Sequence, residues 1–409
     1  MAKPKHYDEH IQRDFIDRLR AQNETSPTPP LAFVDTYGCQ QNEADSEKLR
    51  GMLAEMGYAF TDDERLADLI VINTCAVRAH AETRVLGNVG ALVHTKRDKP
   101  DQLIALCGCM MQEPSNAEKV KRSYRHVDLV FGPHALPRFP ELLWEALRRA
   151  GRVFDFEEGD GKIVEGLPVL RGARPRAWLS VMYGCDNFCS YCIVPYLRGR
   201  ERSRTPEHIL REAGDLIRDG YTELTLLGQN VNSYGKGLTP PVDFAELIDR
   251  VCALPGEFTV GFMTSHPKDA TPRLFDTMAR NPKVRRHLHL PFQSGSDRIL
   301  AAMNRGYSGA GYLALIDCAR AVMPGISLTS DVIVGYPNET EQDFLDTLDL
   351  MRTVRFDNLF TFIYSKRPGT PAAGLPDDIP DSVKRERMAR LLSLQAAIRN
   401  DGVRLRGQI

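Results

Sequence analysis

Between Leu31 and Tyr364 the chain repeats one alternation: a short apolar run of strand length, then a longer segment with helical spacing of its apolar residues. The first series holds LAFVDT (31–36), DLIVIN (68–73), QLIALCG (102–108) and VDLVFG (127–132). EADSEKLRGMLAEMGY (43–58) places Leu49, Met52, Leu53 and Met56 at helical spacing, and FPELLWEAL (139–147) is a further helical stretch. Strands separated by helices are joined by crossovers, so they pair in parallel. Residues 31–150 are expected to form an open parallel α/β domain. SPTPP (26–30) sets off residues 1–30 as an extension with at most one helix, and the polar, Gly-rich stretch 151–175 reads as a connector.

The alternation then restarts with AWLSVMY (177–183), ELTLLG (223–228), FTVGFMT (258–264), RHLHLPF (286–292), LTSDVIVG (328–335) and NLFTFIY (358–364). Six βα units over 176–380 predict a partial, TIM-like (βα)6 barrel, short of the eight units of a closed one. The end of the chain, 381–409, contains VKRERMARLLSLQAAIR, which reads as a basic helix.

No run approaches the roughly 18 apolar residues of a membrane span. The first 30 residues lack the apolar core of a secretory signal. A cytoplasmic location is expected, and its reducing conditions argue against disulfides among the nine cysteines. Net charge is −1, so the chain as a whole does not advertise a polyanion partner. Locally, RGRERSR (198–204) carries four arginines and one glutamate. Arg198, Arg200, Arg202 and Arg204 are candidates for phosphate contacts through forked donors, with surface ion pairs as the competing reading.

GCDNFCSYCIVPY (184–196) places Cys185, Cys189 and Cys192 just past the first barrel strand, at the end where barrels of this kind carry their chemistry. Gly184, Asp186 and Asn187 mark a loop rather than a core face. Structural zinc takes four ligands, usually in two pairs, and the sequence has no second CxxC. A 4Fe-4S cluster has four irons, so three thiolates on one loop leave one iron open to a ligand that is not protein. The N-terminal cysteines also follow strand ends: Cys39 in YGCQQNEAD, Cys75 in NTCAVR, Cys107 and Cys109 in LCGCMMQ. Open parallel sheets bind ligands at the carboxyl ends of their strands. Cys39, Cys75 and Cys109 are therefore expected to form a second three-thiolate site, while Cys107, Cys252 and Cys318 belong to the core. His287 and His289 alternate on a strand with no further ligand nearby, which favours core or substrate-facing roles over a metal pair.

The CxxxCxxC spacing, with Tyr191 before its last cysteine, resembles the radical S-adenosylmethionine (SAM) superfamily. Two cysteine triads in this order are similar to the methylthiotransferase family within it. VDTYGCQQNEADSE, IVINTCAVR and GCMMQ carry the likeness in the first half. GCDNFCSYCIVPYLRGRERSR, LLGQNVNSYG, MTSHPKD, HLHLPFQSGSDRIL, MNRGY and DVIVGYPNETEQDF carry it in the second. The wording is nearer the branch that modifies isopentenylated adenosine in tRNA; a ribosomal protein side chain or threonylcarbamoyladenosine is the alternative target.

The resemblance implies a radical SAM barrel, two 4Fe-4S clusters and SAM. One SAM would methylate sulfur held at the cluster of Cys39, Cys75 and Cys109. A second, at the cluster of Cys185, Cys189 and Cys192, would yield the 5′-deoxyadenosyl radical. That radical would remove hydrogen from carbon 2 of N(6)-dimethylallyladenosine at tRNA position 37, where the methylthio group is added. The implied partners are that tRNA, an electron donor such as flavodoxin or ferredoxin, and a sulfur source, with no membrane. Carried over by motif position, SAM would meet Tyr191, Gln229, Gln293, Ser294, Ile333 and Gly335. Arg198 and Arg200 would meet RNA, and no side chain is assigned as catalytic. The family usually continues into a small RNA-gripping TRAM β-barrel, expected to be absent here because the sequence ends at VRLRGQI.

Overall fold

The computed structural model describes residues 7–76, 79–148, 151–156 and 159–406, the side chains of 79–81 and 402–406 excepted. The chain divides into two compact units, Met1–Ala173 with Tyr196–Arg200, and Arg174–Pro195 with Glu201–Ile409.

The first unit is a six-stranded, wholly parallel sheet. Its strands are β1 (Leu31–Tyr37), β2 (Ala59–Phe60), β3 (Leu69–Thr74), β4 (Leu103–Gly108), β5 (Leu129–Phe131) and β6 (Val153–Asp155), in the order β2-β1-β3-β4-β5-β6. Every residue of β3 and β4 is buried, as continuous apolar runs between helical layers require. The helices are α1 (Glu9–Glu24), α2 (Gln40–Glu55), α3 (Ala79–Asp98), α4 (Cys109–Gln112), α5 (Pro114–Ser123) and α6 (Phe139–Arg148). Leu49, Met52 and Leu53 of α2 are fully buried against the sheet, a contribution of about 1.5–3 kcal/mol each.

Two segments are more integrated than their composition suggests. The extension supplies α1, capped by Asp8, which buries Ile16 and Leu19 and binds α6 through Gln12 and Glu141 at 3.2 Å. The stretch read as a connector provides the edge strand β6, then lies along α2. There the Leu170 amide donates to the Glu47 carbonyl (2.9 Å) and Arg171 pairs with the Glu47 carboxylate (3.1 Å). Gly51 permits this, because a Cβ at that position would run into the Pro168 and Val169 backbone.

In the second unit the strands are β7 (Arg176–Ser180), β10 (Glu223–Leu227), β11 (Thr259–Phe262), β12 (His287–His289), β13 (Ser327–Val334) and β14 (Asn358–Ile363), with a small antiparallel pair formed by β8 (Met182–Tyr183) and β9 (Arg202–Ser203). Two parallel triplets, β7-β10-β11 and β12-β13-β14, carry the six expected strands in chain order. A parallel bridge between Val260 and Val284 spans the seam between the triplets. The helices are α7 (Val194–Arg198), whose end belongs to the first unit, α8 (Pro206–Arg218), α9 (Phe244–Cys252), α10 (Pro272–Arg280), α11 (Asp297–Ala302), α12 (Gly309–Val322), α13 (Glu341–Val354) and α14 (Asp381–Arg406). One apolar core, including Leu179, Leu226, Val260, Leu288, Phe292, Phe344 and Phe356, fills the space between strands and helices. No described helix is long and apolar enough to cross a membrane.

Candidate iron–sulfur and S-adenosylmethionine sites

In the first unit the register decides which cysteines meet. Tyr37 pairs with Thr74, and Thr74 with Gly108, so three adjacent strands end level. Cys39, Cys75 and Cys109 leave those ends. Cys39 is exposed as a residue, but its sulfur turns inward and donates to Asn42 Oδ1 at 3.3 Å; Cys75 and Cys109 are buried. A hydrogen bond with Cys75 draws the Cys39 thiol down to about 6, against desolvation and with help from the Arg198 charge. Burial pushes Cys109 up, and Arg198 opposes that push. Cys107 lies inside β4 in the apolar core, where its reading from sequence put it.

A polar network holds this end of the sheet. Asn42 donates to Asn73 Oδ1 and to the Thr74 carbonyl, both at 3.0 Å, and Asn73 donates back to the Asn42 carbonyl and to Ser46, both at 2.9 Å. Ser46 also accepts from Thr36 (2.8 Å), and Thr74 donates to the Cys107 carbonyl (2.6 Å). The sequence reading missed Asn42, Asp45, Ser46 and Asn73. Their signal was QQNEADSE, where polar residues occupy the helical positions that a core-facing helix normally fills with apolar ones.

Arg198 departs from its expected place at an RNA phosphate. It is buried in the first unit, donating from Nε to Cys109 Sγ at 3.0 Å and pairing through Nη1 with Asp45 at 2.8 Å. Buried in this way, its side chain is not a surface group. Arg200 is exposed, and its amide donates to Asp160 (2.8 Å). Arg204 binds the Ser180 carbonyl and Glu212 within the barrel unit.

In the second unit the loop 184–192 is fastened by residues that follow β12. Ser190 donates its amide to the Met303 carbonyl (3.0 Å) and its hydroxyl to the Ala302 carbonyl (2.8 Å), and Asn304 donates to the carbonyls of Asn187 and Phe188. Gly184 and Phe188 take positive φ, of 76° and 44°, to turn the loop. Burial pushes Cys185 up to about 11 and Cys192 up to about 12, Cys189 adding to both. Arg305, which the sequence reading left inside MNRGY, is buried and donates to Cys189 Sγ at 3.3 Å, to the Tyr191 hydroxyl at 3.4 Å and to the Pro291 carbonyl at 2.9 Å. His266 of MTSHPKD stands 4.0 Å from Cys189 Sγ, its imidazole pulled down to about 2 by burial and by Arg305 and two lysines.

The residues carried over for SAM separate into two groups. Gln229 and Gln293 each hold a side-chain oxygen that is buried without a hydrogen-bond partner, as Asn230 and Ser265 beside them do. Gln293 also adopts φ +65°, a strained value for a non-glycine residue and typical of ligand sites. Tyr191 packs on the apolar cluster that contains Ile333, Ile299, Tyr336 and Tyr364. Ser294 instead faces α13: its hydroxyl meets Thr347 at 3.3 Å and accepts from the Ser296 amide. The Gly335 amide is committed to the buried Glu339 carboxylate (2.9 Å), which Arg387 pairs. His287 and His289 share Thr329 Oγ1, at 2.9 and 3.0 Å, and the Asp331 carboxylate, which the sequence does not signal, stands 3.5 Å from His289 Nε2.

Both cysteine sets fit a cluster by their chemistry. All six are free thiols, three leaving strand ends and three on one loop, and thiolates are the ligands that 4Fe-4S clusters take. Unpartnered buried oxygens at the barrel's strand ends fit a polar ligand.

A barrel of six parallel βα units with a three-cysteine loop after its first strand defines the class: radical SAM enzymes. The Radical SAM superfamily signature matches residues 179–351, and the signature of uncharacterized protein family UPF0004 matches residues 32–132. The tRNA-2-methylthio-N(6)-dimethylallyladenosine synthase of Acetivibrio thermocellus is 52% identical over 391 residues, 95% of this chain and 82% of that protein. The synthase of the same name from Clostridioides difficile is 49% identical over 93% of this chain and 80% of its own length. The chain belongs to this family, the MiaB-type radical SAM methylthiotransferases, whose cofactors are SAM and 4Fe-4S clusters. Among solved structures, the radical SAM methyltransferase TsrM from Kitasatospora setae shares the fold: TM-score 0.61, 15% identity, 85% of this chain and 77% of that one.

Proposed function

We propose that this enzyme adds a methylthio group to carbon 2 of N(6)-dimethylallyladenosine at tRNA position 37. Cys185, Cys189 and Cys192 hold the cluster that takes SAM, and Cys39, Cys75 and Cys109 hold the cluster that delivers sulfur. The single observation behind the split is the β1/β3/β4 register, which brings three cysteines distant in sequence to one sheet end while the other three share a loop. When bound, these groups supply a carbon-centred radical able to take an unactivated hydrogen, and a methylated sulfur. The protein's part is to bind and aim. Gln229 and Gln293 offer unpartnered oxygens to the polar end of SAM. Tyr191 and Ile333 offer an apolar wall to its adenine. Arg305 sets a fixed positive charge beside Cys189. Arg200 is assigned a tRNA phosphate contact, a reading that its exposure supports. The reaction needs an external electron donor, such as flavodoxin or ferredoxin, and a sulfur source, and its tRNA substrate places it in the cytoplasm.

Anaerobically reconstituted protein is expected to hold about eight irons, two four-iron cubes. Alanine at Cys185, Cys189 and Cys192, or at Cys39, Cys75 and Cys109, is expected to remove about half of them. A triple variant that keeps all its iron refutes that ligand set. Nucleosides from tRNA of a methylthiotransferase-deficient strain carrying this gene are expected to include 2-methylthio-N(6)-dimethylallyladenosine. Persistence of the unthiolated nucleoside in the presence of folded, iron-loaded enzyme refutes the substrate.

A further inference from the structure

We infer that Arg198 is a positioning residue of the N-terminal cysteine site. Its guanidinium places a charged hydrogen-bond donor on the Cys109 sulfur, and thereby raises the reduction potential of a cluster held there. The inference rests on the ligand assignment proposed above.

The geometry is specific. Arg198 closes α7, in the short segment Tyr196–Arg200 that packs with the first unit. Its Nε meets Cys109 Sγ at 3.0 Å and its Nη1 meets Asp45 Oδ2 at 2.8 Å, both side chains of the ion pair being more than nine-tenths buried. The segment is latched just beyond: Gly199 takes φ +74°, a Cβ there would meet the Asp160 backbone, and the Arg200 amide donates to Asp160 Oδ1 at 2.8 Å. Asp45 comes from the inward face of α2, the helix that Cys39 begins. One side of the site is thus built around a cation oriented by a carboxylate, with its Nε donor on sulfur.

Hydrogen bonds and positive charge at a ligating thiolate stabilise the reduced, more negative state of an iron–sulfur cluster. A charge-assisted donor inside a low-dielectric unit is stronger than its solvent-exposed counterpart. If Arg198 served only to satisfy Asp45, the sulfur contact would be incidental and the potential would not follow it.

The two readings differ in whether the potential follows Arg198. The test uses the full chain with Cys185, Cys189 and Cys192 replaced by alanine, so that the remaining cluster is the N-terminal one, and reads its midpoint potential by EPR-monitored redox titration. Absence of all iron from that parent is a failure of the ligand assignment and takes the inference with it; it is seen before Arg198 is changed. With the parent loaded, Arg198→Met is expected to move the midpoint to more negative values, and Arg198→Lys part of the way. Asp45→Asn removes a nearby negative charge while keeping Arg198, and is expected to move the midpoint to more positive values. An unchanged midpoint in Arg198→Met overturns the inference, as does a shift of Asp45→Asn in the negative direction. If Arg198→Met holds no iron, Asp45→Asn still decides: an unchanged or more negative midpoint overturns it.

Discussion

Arg305 shows how a single buried cation can be explained only by what stands beside it. Its partners are a cysteine sulfur, two tyrosine hydroxyls and a backbone carbonyl. Burying a guanidinium among such groups is costly unless an anion is near. On the ligand assignment proposed above, the Cys189 thiolate provides that anion. Arg305→Met is therefore expected to slow cleavage of SAM to 5′-deoxyadenosine at least about tenfold, the equivalent of about 1.4 kcal/mol, with Arg305→Lys recovering part of the loss. Product chromatography under strong reductant checks it, and an undiminished rate in Arg305→Met would assign the residue to packing. From the sequence this arginine was one letter in MNRGY. Nothing local marks a residue whose partner sulfur lies 116 positions away.

At the level of elements, each site depends on how a strand or helix ends. Gly108 closes β4 with φ +97°, and a Cβ there would press on the Thr74 carbonyl and Asn73 Oδ1, inside contact distance. Gly108→Ala is expected to push Cys109 away from its neighbours and to lose about half of the total iron, read by metal analysis of reconstituted protein; full loading would show that the strand end can shift. In the barrel unit, Asp343 ties the start of α13 to the start of α11. It completes a capping box with Thr340, accepts from Ser296 at 2.6 Å and pairs with Arg298. Burial alone would raise its carboxyl, but the hydrogen bonds of Arg298, Ser296 and Thr340 hold it well below the carboxylate range. A depressed folded-state value gives stability that is present above the unfolded value of about 3.9 and lost as pH falls toward the folded one. The unfolding temperature of the second unit is expected to fall below about pH 4. In Asp343→Asn that acid slope should be shallower and the stability at neutral pH lower. A variant with the parental acid slope would remove Asp343 from the account.

At the scale of the whole molecule, two compact units each carry one cysteine triad. The barrel unit also holds Gln229, Gln293, Tyr191, Ile333 and Arg305. Replacing Cys39, Cys75 and Cys109 together with alanine is therefore expected to leave reductive SAM cleavage standing and to abolish methylthio transfer to isopentenylated tRNA. Both products are read from one reaction. Methylthiolation by that variant would remove the sulfur-delivery role from the first unit. Loss of SAM cleavage, with the radical cluster intact, would show that the two chemistries do not divide by unit.

The cysteine spacing and the strand–helix alternation were local patterns, and they were enough to determine two α/β units, the six barrel strands and the loop of Cys185, Cys189 and Cys192. Periodicity records which face of an element is buried, and a short loop keeps its ligands together whatever the rest of the chain does. The meeting of Cys39, Cys75 and Cys109 was an inference from strand ends, and the parallel register gave it a structural basis. Only the tertiary structure decided the rest. It folded the apparent connector onto α2, turned Ser294 toward α13, took Arg198 from the surface into the N-terminal site, and set Arg305 beside Cys189. Those outcomes hinge on charged and polar side chains, which have no periodic signature. A buried arginine and a solvated one read alike in sequence, and what separates them is the anion that the fold brings within hydrogen-bond reach.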